Sequence, residues 1–265
     1  MSRYVGILAA ATLLLTAAHA QPLEQAHAHN DYEHERPLLD ALSHGFTSVE
    51  ADIWLVDGEL LVAHDEDEVT LERTLSSLYL GPLSARVREN GGTVYPGSDL
   101  TLTLLIDIKS EGEATYSVLD EVLREYQAML TRFANESTEL GAVTAIISGE
   151  RPRELMAAQT ERFAGYDGRL EDLETGMSAS FMPLISDNWS DLFSWTGAGE
   201  MPEDERAELV RIVQTAHAQG QQVRFWATPD DAGPERTALW QVLSEVGVDH
   251  INTDDLAGLE AFLRQ

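Results

Sequence analysis

Four short stretches of this chain carry residues that could do chemistry, and in each the polar pair stands two positions apart. AHAHND holds His27 and His29, VEADI holds Glu50 and Asp52, LIDIKS holds Asp107 and Lys109, and VRFWAT holds Arg224 and Trp226. On a strand, side chains two apart share a face. The intervening residues are apolar, as expected of a strand buried on both faces. Carboxylates on such a strand are costly unless something offsets their charge, and a bound cation does so. Imidazoles carry protons near neutral pH. His64, in LLVAHDED, adds another, with Asp65 available to orient it. Taken singly, each pair is an ordinary core pair, solvated face or ion pair. Their recurrence at the ends of four strands points to one site that combines a cation with proton carriers.

Those strand ends must be brought together by the rest of the chain. Short apolar, β-branched runs at 25–29, 46–54, 102–108, 142–148, 162–166, 181–186, 222–227 and 248–252 read as strands. Helical patterns occupy 37–44, 79–89, 114–133, 151–159, 201–219, 233–246 and 255–264. LVDGELLVAHD contains an Asp-Gly turn that reads as a hairpin added to the second strand. Strand–helix alternation implies a parallel sheet, and eight such strands imply an α/β fold, a closed (β/α)8 TIM barrel. ETGMSASF stands where a helix should be, so the barrel is expected to be irregular around its fifth and sixth units. In barrels of this kind the active site lies at the C-terminal ends of the strands.

Composition narrows the partners. A net charge of −29 argues against nucleic acid or an anionic membrane surface. The 46 acidic residues, with arginine in place of nearly every lysine, fit either a surface adapted to salt or a biased genome. Residues 1–20, with a basic start, an apolar run and Ala18-His19-Ala20, read as a signal peptide cut before Gln21. The expectation is an exported protein, periplasmic or secreted, with residues 21–265 as a single domain and no transmembrane segment in the mature chain. There is no cysteine. His34, His44, His217 and His250 suggest no special role, Asn135-Glu136-Ser137 is a chance-level sequon, and HDEDE reads as a solvated loop. The oligomeric state is not legible.

The stretch HAHNDYEHERPLLDALSHGFTSVEADIWLVDGELLVAHD, followed by LLIDIKS and by RFWATPDD…WQVLSEVGVDHINTDDL, resembles the phospholipase-C-like phosphodiesterase superfamily. That superfamily includes glycerophosphodiester phosphodiesterases and phosphatidylinositol phospholipases C. The nearest subgroup is the one around the "altered inheritance of mitochondria" proteins. The resemblance covers nearly all of residues 21–265, although 150–220 is not diagnostic. It implies a barrel that cleaves a small phosphodiester or phospholipid with a divalent cation, Ca2+ or Mg2+. It also implies Glu50, Asp52 and Asp107 as metal ligands and His64 as one of two proton carriers. The other is His27 or His29. Where glycerophosphodiester phosphodiesterases have His-Arg-Gly, this chain has His27-Ala28-His29-Asn30, so an arginine that would hold phosphate is missing. Asn30, Arg224 and Trp226 are the expected substrate contacts. In this superfamily the attacking group is often the substrate's own neighbouring hydroxyl.

Lys109 is the only lysine, beside sixteen arginines. A compact ammonium fits where a planar guanidinium does not. Lys109 is therefore expected to meet a phosphate oxygen and stabilise transition-state charge, the alternative being a counter-charge for Asp107 or Glu50. Two rival functions share the same sequence. A zinc amidohydrolase also opens with His-x-His but needs further histidines on its middle strands, and a non-catalytic binding protein would have lost a ligand or a histidine.

Overall fold

Eight parallel strands make the frame: β1 (Leu23–Ala28), β2 (Phe46–Val56), then, past a hairpin strand β3 (Glu59–Val62), β4 (Leu102–Ile108). After two short strands, β5 (Arg132–Ala134) and β6 (Ser137–Glu139), comes β7 (Val143–Gly149). Then β8 (Glu161–Arg162), β9 (Ala164–Gly168), β10 (Leu184–Asn188), β11 (Gln222–Trp226) and β12 (Ile251–Thr253) complete the set. The computed structural model describes residues 20–134 and 137–265. The expected export segment up to His19, and Asn135 and Glu136 of the sequon, lie outside the described residues.

The strands hydrogen-bond in the order β11-β10-β9-β7-β4-β2-β1-β12, and an Arg224–His250 bridge links the last strand back to β11. The result is a nearly closed parallel barrel. Helices α1 (Leu39–Ser43), α2 (Gly81–Glu89), α3 (Gly112–Glu125), α4 (Arg153–Ala158), α5 (Trp189–Leu192), α6 (Glu203–Ala218), α7 (Pro234–Val246) and α8 (Leu256–Leu263) follow the strands. Among the described residues, no helix is long and apolar enough to cross a membrane.

The main core runs between the outward strand faces and the helices. Inside the barrel, Leu105, Ile146 and Leu184 form a small separate cluster. The rest of the interior is unusually polar: His27, Ser48, Glu50, Asp167, Ser186 and Arg224 are all buried. Side-chain pairing, rather than apolar filling, therefore decides what the barrel interior can do.

The hairpin forms as its sequence dictates. Asp57 and Gly58 both have positive φ, 50° and 87°, as a two-residue turn with the strands' own twist requires. It folds Ala63 back onto the Asp52 carbonyl at 3.3 Å and so delivers His64 to the mouth.

Several boundaries differ from the sequence reading, among them the last barrel strand, which begins at Ile251 and not at 248. The helix expected over 114–133 stops at Glu125. Arg132–Ala134 instead joins a small antiparallel sheet with β6 and β8, with Phe133 buried between half-buried Arg132 and Ala134 in strand fashion. The fifth and sixth barrel strands begin later than 162 and 181. Pro183 cannot donate to a ladder, so β10 starts at Leu184. Between β9 and β10 only a 3-10 turn, Leu170–Asp172, stands in place of a helix.

Candidate active site

Register fixes which side chains meet. β2 and β4 pair Glu50 with Leu105 and Asp52 with Asp107, so the two aspartates stand side by side at the C-terminal rim. Glu50, Asp52 and Asp107 each offer an oxygen within 4.8 Å of the others. Asp107 keeps its position partly because Gly149, on the next strand, has φ +69° and no side chain; a Cβ there would collide with Asp107 Oδ1.

The cluster is only partly neutralised. Arg224 donates from Nη2 to Glu50 Oε2 at 2.5 Å and from Nε to Asn252 Oδ1 at 2.9 Å. Lys109 Nζ lies 3.1 Å from Asp52 Oδ2 and 3.2 Å from Asp107 Oδ1. Two cations therefore face three carboxylates, and the buried Asp52 Oδ1 has no hydrogen-bond partner. Burial pushes the Asp52 carboxyl up to about 6, with the charges of Glu50 and Asp107 adding to it. Burial also raises Asp107 against the pull of Lys109. Glu50 goes the other way: burial would raise it, but Arg224, the His27 hydrogen bond and the charges of His29 and His27 together outweigh the burial and hold it well below the usual carboxylate range. A divalent cation at this point would supply the missing charge and occupy the orphaned oxygen, so the donor set fits one.

The two histidines of the first strand part company. His27 points into the barrel, with Nδ1 2.7 Å from Ser48 Oγ and Nε2 3.2 Å from Glu50 Oε2. Burial and then Arg224 push its pKa down to about 3, so it stays neutral. His29, past the end of the strand, lines a cleft of about 400 Å3 with Glu50, Asp107, Lys109, Arg169, Arg224 and Trp226. Its Nδ1 lies 2.8 Å from Asp254 Oδ1. Burial alone would lower the His29 pKa, but the Asp254 hydrogen bond and the Glu50 charge overcome it and the pKa is raised.

His64 is half exposed. Its Nδ1 lies 3.2 Å from Asp52 Oδ2 and 3.0 Å from the Tyr32 hydroxyl. Asp65, expected to orient His64, instead caps the 3-10 turn Glu66–Glu68. The Tyr32 hydroxyl also reaches Asp52 at 2.7 Å and Asn30 Oδ1 at 2.8 Å, so Asn30 braces Tyr32. Asn30 turns the chain there with φ 46°, a left-handed conformation that asparagine tolerates. Arg224, expected to touch substrate, is 97% buried with two nitrogens spent on Glu50 and Asn252; it is the counter-ion that holds Glu50 in place. The Trp226 ring lies under the Arg169 guanidinium, 4.6 Å from its centroid.

Four participants escaped the sequence reading. Tyr32 and Asp254 sit in turns with no periodic signal. Asp167 and Arg169 end the fifth barrel strand, and there the rule of a charge at an inward strand end would have found Asp167 had that strand been placed two residues later. Asp167 is fully buried, bonded to Ser148 Oγ at 2.7 Å, Ser186 Oγ at 2.6 Å and Arg169 Nη1 at 2.7 Å.

Known proteins with these features can now be set beside the chain. A family model described as the AIM6-like phosphodiesterase domain matches residues 16–167, and one for the glycerophosphoryl diester phosphodiesterase family matches 222–257. Altered inheritance of mitochondria protein 6 of Lachancea thermotolerans is 33% identical over 88% of this chain, which spans 64% of that protein's length. The homolog of that protein in Arthroderma benhamiae is 31% identical, over 89% of this chain and 82% of its own. Among solved structures, glycerophosphodiester phosphodiesterase from Agrobacterium tumefaciens superposes with a TM-score of 0.50 at 13% identity, covering 92% of this chain and all of that one. Phosphatidylinositol-specific phospholipase C from Listeria monocytogenes superposes with a TM-score of 0.51 at 8% identity, over 94% of this chain and 96% of its own. Identities this low establish the shared barrel alone.

Proposed function

This chain belongs to the AIM6-like phosphodiesterase family, and from that premise we propose that it is a divalent-cation-dependent hydrolase of phosphodiesters, acting on a glycerophosphodiester or a phospholipid head group. One observation carries the reading: three carboxylates from two neighbouring strands converge at the barrel mouth, short of positive charge, with His29 lining the same cleft and His64 touching Asp52.

Glu50, Asp52 and Asp107 would hold the cation, which when bound neutralises charge on the phosphoryl oxygens. The cluster contains no histidine, so hard oxygen donors favour Ca2+ or Mg2+ over zinc and argue against the amidohydrolase alternative. His29 and His64 form the proton-carrying pair. Asp254 holds His29 by Nδ1, while Asp52 and Tyr32 hold His64 by Nδ1, so each ring works through Nε2. One takes the proton of the attacking hydroxyl and the other protonates the leaving oxygen. The buried, neutral His27 supports Glu50 and Ser48 instead. Lys109, already bridging Asp52 and Asp107, would turn its ammonium to a phosphate oxygen.

An assay across glycerophosphodiesters, inositol phospholipids and sphingomyelin, with Ca2+, with Mg2+ and with chelator, tests this. Cation-dependent release of a phosphomonoester or cyclic phosphate supports it, and no turnover with either cation counts against it. Export is part of the same proposal, and a mature protein beginning at Gln21 would support it.

A further inference from the structure

One wall of the cleft takes no part in the chemistry just proposed. Arg169 follows β9, the fifth strand of an eight-strand ring, opposite His29, which follows the first. Its Nη1 alone meets Asp167 Oδ2 at 2.7 Å, Gly168 O at 3.1 Å and Ser186 Oγ at 3.2 Å. The face of its guanidinium rests on Trp226. Among the described residues Nε and Nη2 have no protein partner, and neither is a buried orphan, so this edge of the fork is open to the cleft.

The fork is also fixed in place. Ser186 and Trp226 lie on β10 and β11, on the side of Arg169 away from Asp107. Two strand spacings, about 10 Å, separate the strand of Asp107 from that of Asp167. Arg169 thus enters the cleft from a different strand than the carboxylate triad, where a group farther along the esterified alcohol of a triad-bound phosphate could meet it.

The charge balance gives the sign of that group. Asp167 carries one negative charge against two guanidiniums, Arg169 at 2.7 Å and Arg151 at 4.0 Å, while Arg153 is matched by Asp172 at 2.5 Å. Those five side chains sum to one positive charge, in a protein whose net charge is −29. A quaternary ammonium would seek an open aromatic face, but Arg169 already covers one face of Trp226. Of the other carboxylates on this side, Glu150 is exposed, where water screens it, and Asp187 accepts from Leu170 N at 3.1 Å and Asn188 N at 2.8 Å.

We infer, resting on the hydrolytic reading above, that Arg169 is a specificity-determining residue whose Nε–Nη2 edge binds a second anionic group, a phosphate or carboxylate, on the alcohol of the substrate. The paired N–H bonds of that edge match two oxygens of such a group. Cationic head groups are selected against.

The test uses the protein supplied with Ca2+ or Mg2+ and three glycerophosphodiesters that differ only in head group: choline, inositol and inositol 4-phosphate. The expected order of kcat/KM is inositol 4-phosphate, then inositol, then choline. Arg169→Gln should lower the ratio of the first to the second at least tenfold, and Arg169→Lys, which keeps the charge and the Asp167 pair but not the fork, should lower it less. Choline as the best substrate, or an unchanged ratio in Arg169→Gln, would overturn the assignment. Calorimetry with free inositol 4-phosphate in chelator separates this idea from the catalytic one. Binding that weakens at least tenfold in Arg169→Gln and persists in His64→Ala supports the Arg169 site even if none of the three esters is cleaved. Equal affinity in wild type and Arg169→Gln defeats it. If the glutamine variant does not fold, the lysine variant carries both measurements, an unchanged ratio or affinity again being the overturning result.

Discussion

Asp52 and Asp167 are both buried carboxylates near the C-terminal ends of barrel strands, three strands apart around the ring, and their surroundings are opposite. Asp167 receives two serine hydroxyls and an arginine, with a second arginine at 4.0 Å. Asp52 stands beside two other carboxylates, shares one lysine with Asp107 and leaves Oδ1 unpartnered. A carboxylate that belongs to the scaffold is supplied in full by the chain itself. One that the chain leaves short marks where something from solution completes the structure.

Neutralising each in turn should therefore separate function from stability. Asp52→Asn should lower turnover at least about 10⁴-fold, roughly 5 kcal/mol. Its cation-free stability at pH 7.5 should be unchanged or higher. The sign follows from the raised pKa: the unfolded aspartate ionises near 4 and the folded one near 6, so ionisation costs the native state up to about 3 kcal/mol as pH rises between them, and the amide escapes that cost. Urea unfolding beside a turnover assay reads both, and a large loss of stability in Asp52→Asn would erase the contrast. Asp167→Asn should do the reverse. Leaving Arg169 and Arg151 over a neutral amide should cost about 3–5 kcal/mol in urea unfolding while cation affinity changes little.

Cation binding sharpens the same comparison. At a hundred times its Kd, Ca2+ or Mg2+ should stabilise wild type by about 2.7 kcal/mol. The effect should be larger at pH 7.5 than at pH 5, because Asp52 and Asp107, both raised, must lose their protons to bind. Asp167→Asn should keep this gain and Asp52→Asn lose it; a melting-temperature shift independent of pH would count against the carboxylate site.

Smaller effects probe the edges of the acidic cluster. Lys109→Arg keeps the charge but not the compact head group, and turnover should fall about tenfold to a hundredfold, 1.4–2.7 kcal/mol. Near-native turnover would make Lys109 a plain counter-charge. Asp254→Asn removes the largest of the interactions that raise the His29 pKa, so the pH–rate limb set by His29 should move to lower pH, with less than about tenfold loss at the optimum. A profile that does not move would detach Asp254 from His29.

The acidic cluster was far more legible in the sequence than the Asp167 wall. Glu50, Asp52, Asp107 and Lys109 each break an apolar period-two pattern, which is a local signal and survives small errors in strand ends. Asp167 follows the same rule, but Gly165 and Gly168 weaken the strand pattern and its start was read two residues early. The hairpin was legible because Asp-Gly fits a turn of positive φ. The choice between His27 and His29 was not, because both share one strand face and only depth in the barrel separates them.

The sequence by itself determined the eight barrel strands, the barrel they imply, and the presence of a carboxylate cluster with imidazoles near it. Periodicity and the cost of burying charge act residue by residue along one strand, so they can be read without knowing the neighbours. Only the tertiary structure decided the pairings: Arg224 under Glu50, Tyr32 and Asp52 on His64, Asp254 on His29, Arg169 on Trp226. Each joins segments that become neighbours only when strand order and barrel closure are set, and a side chain's charge state and reach depend on those neighbours rather than on its place in the sequence.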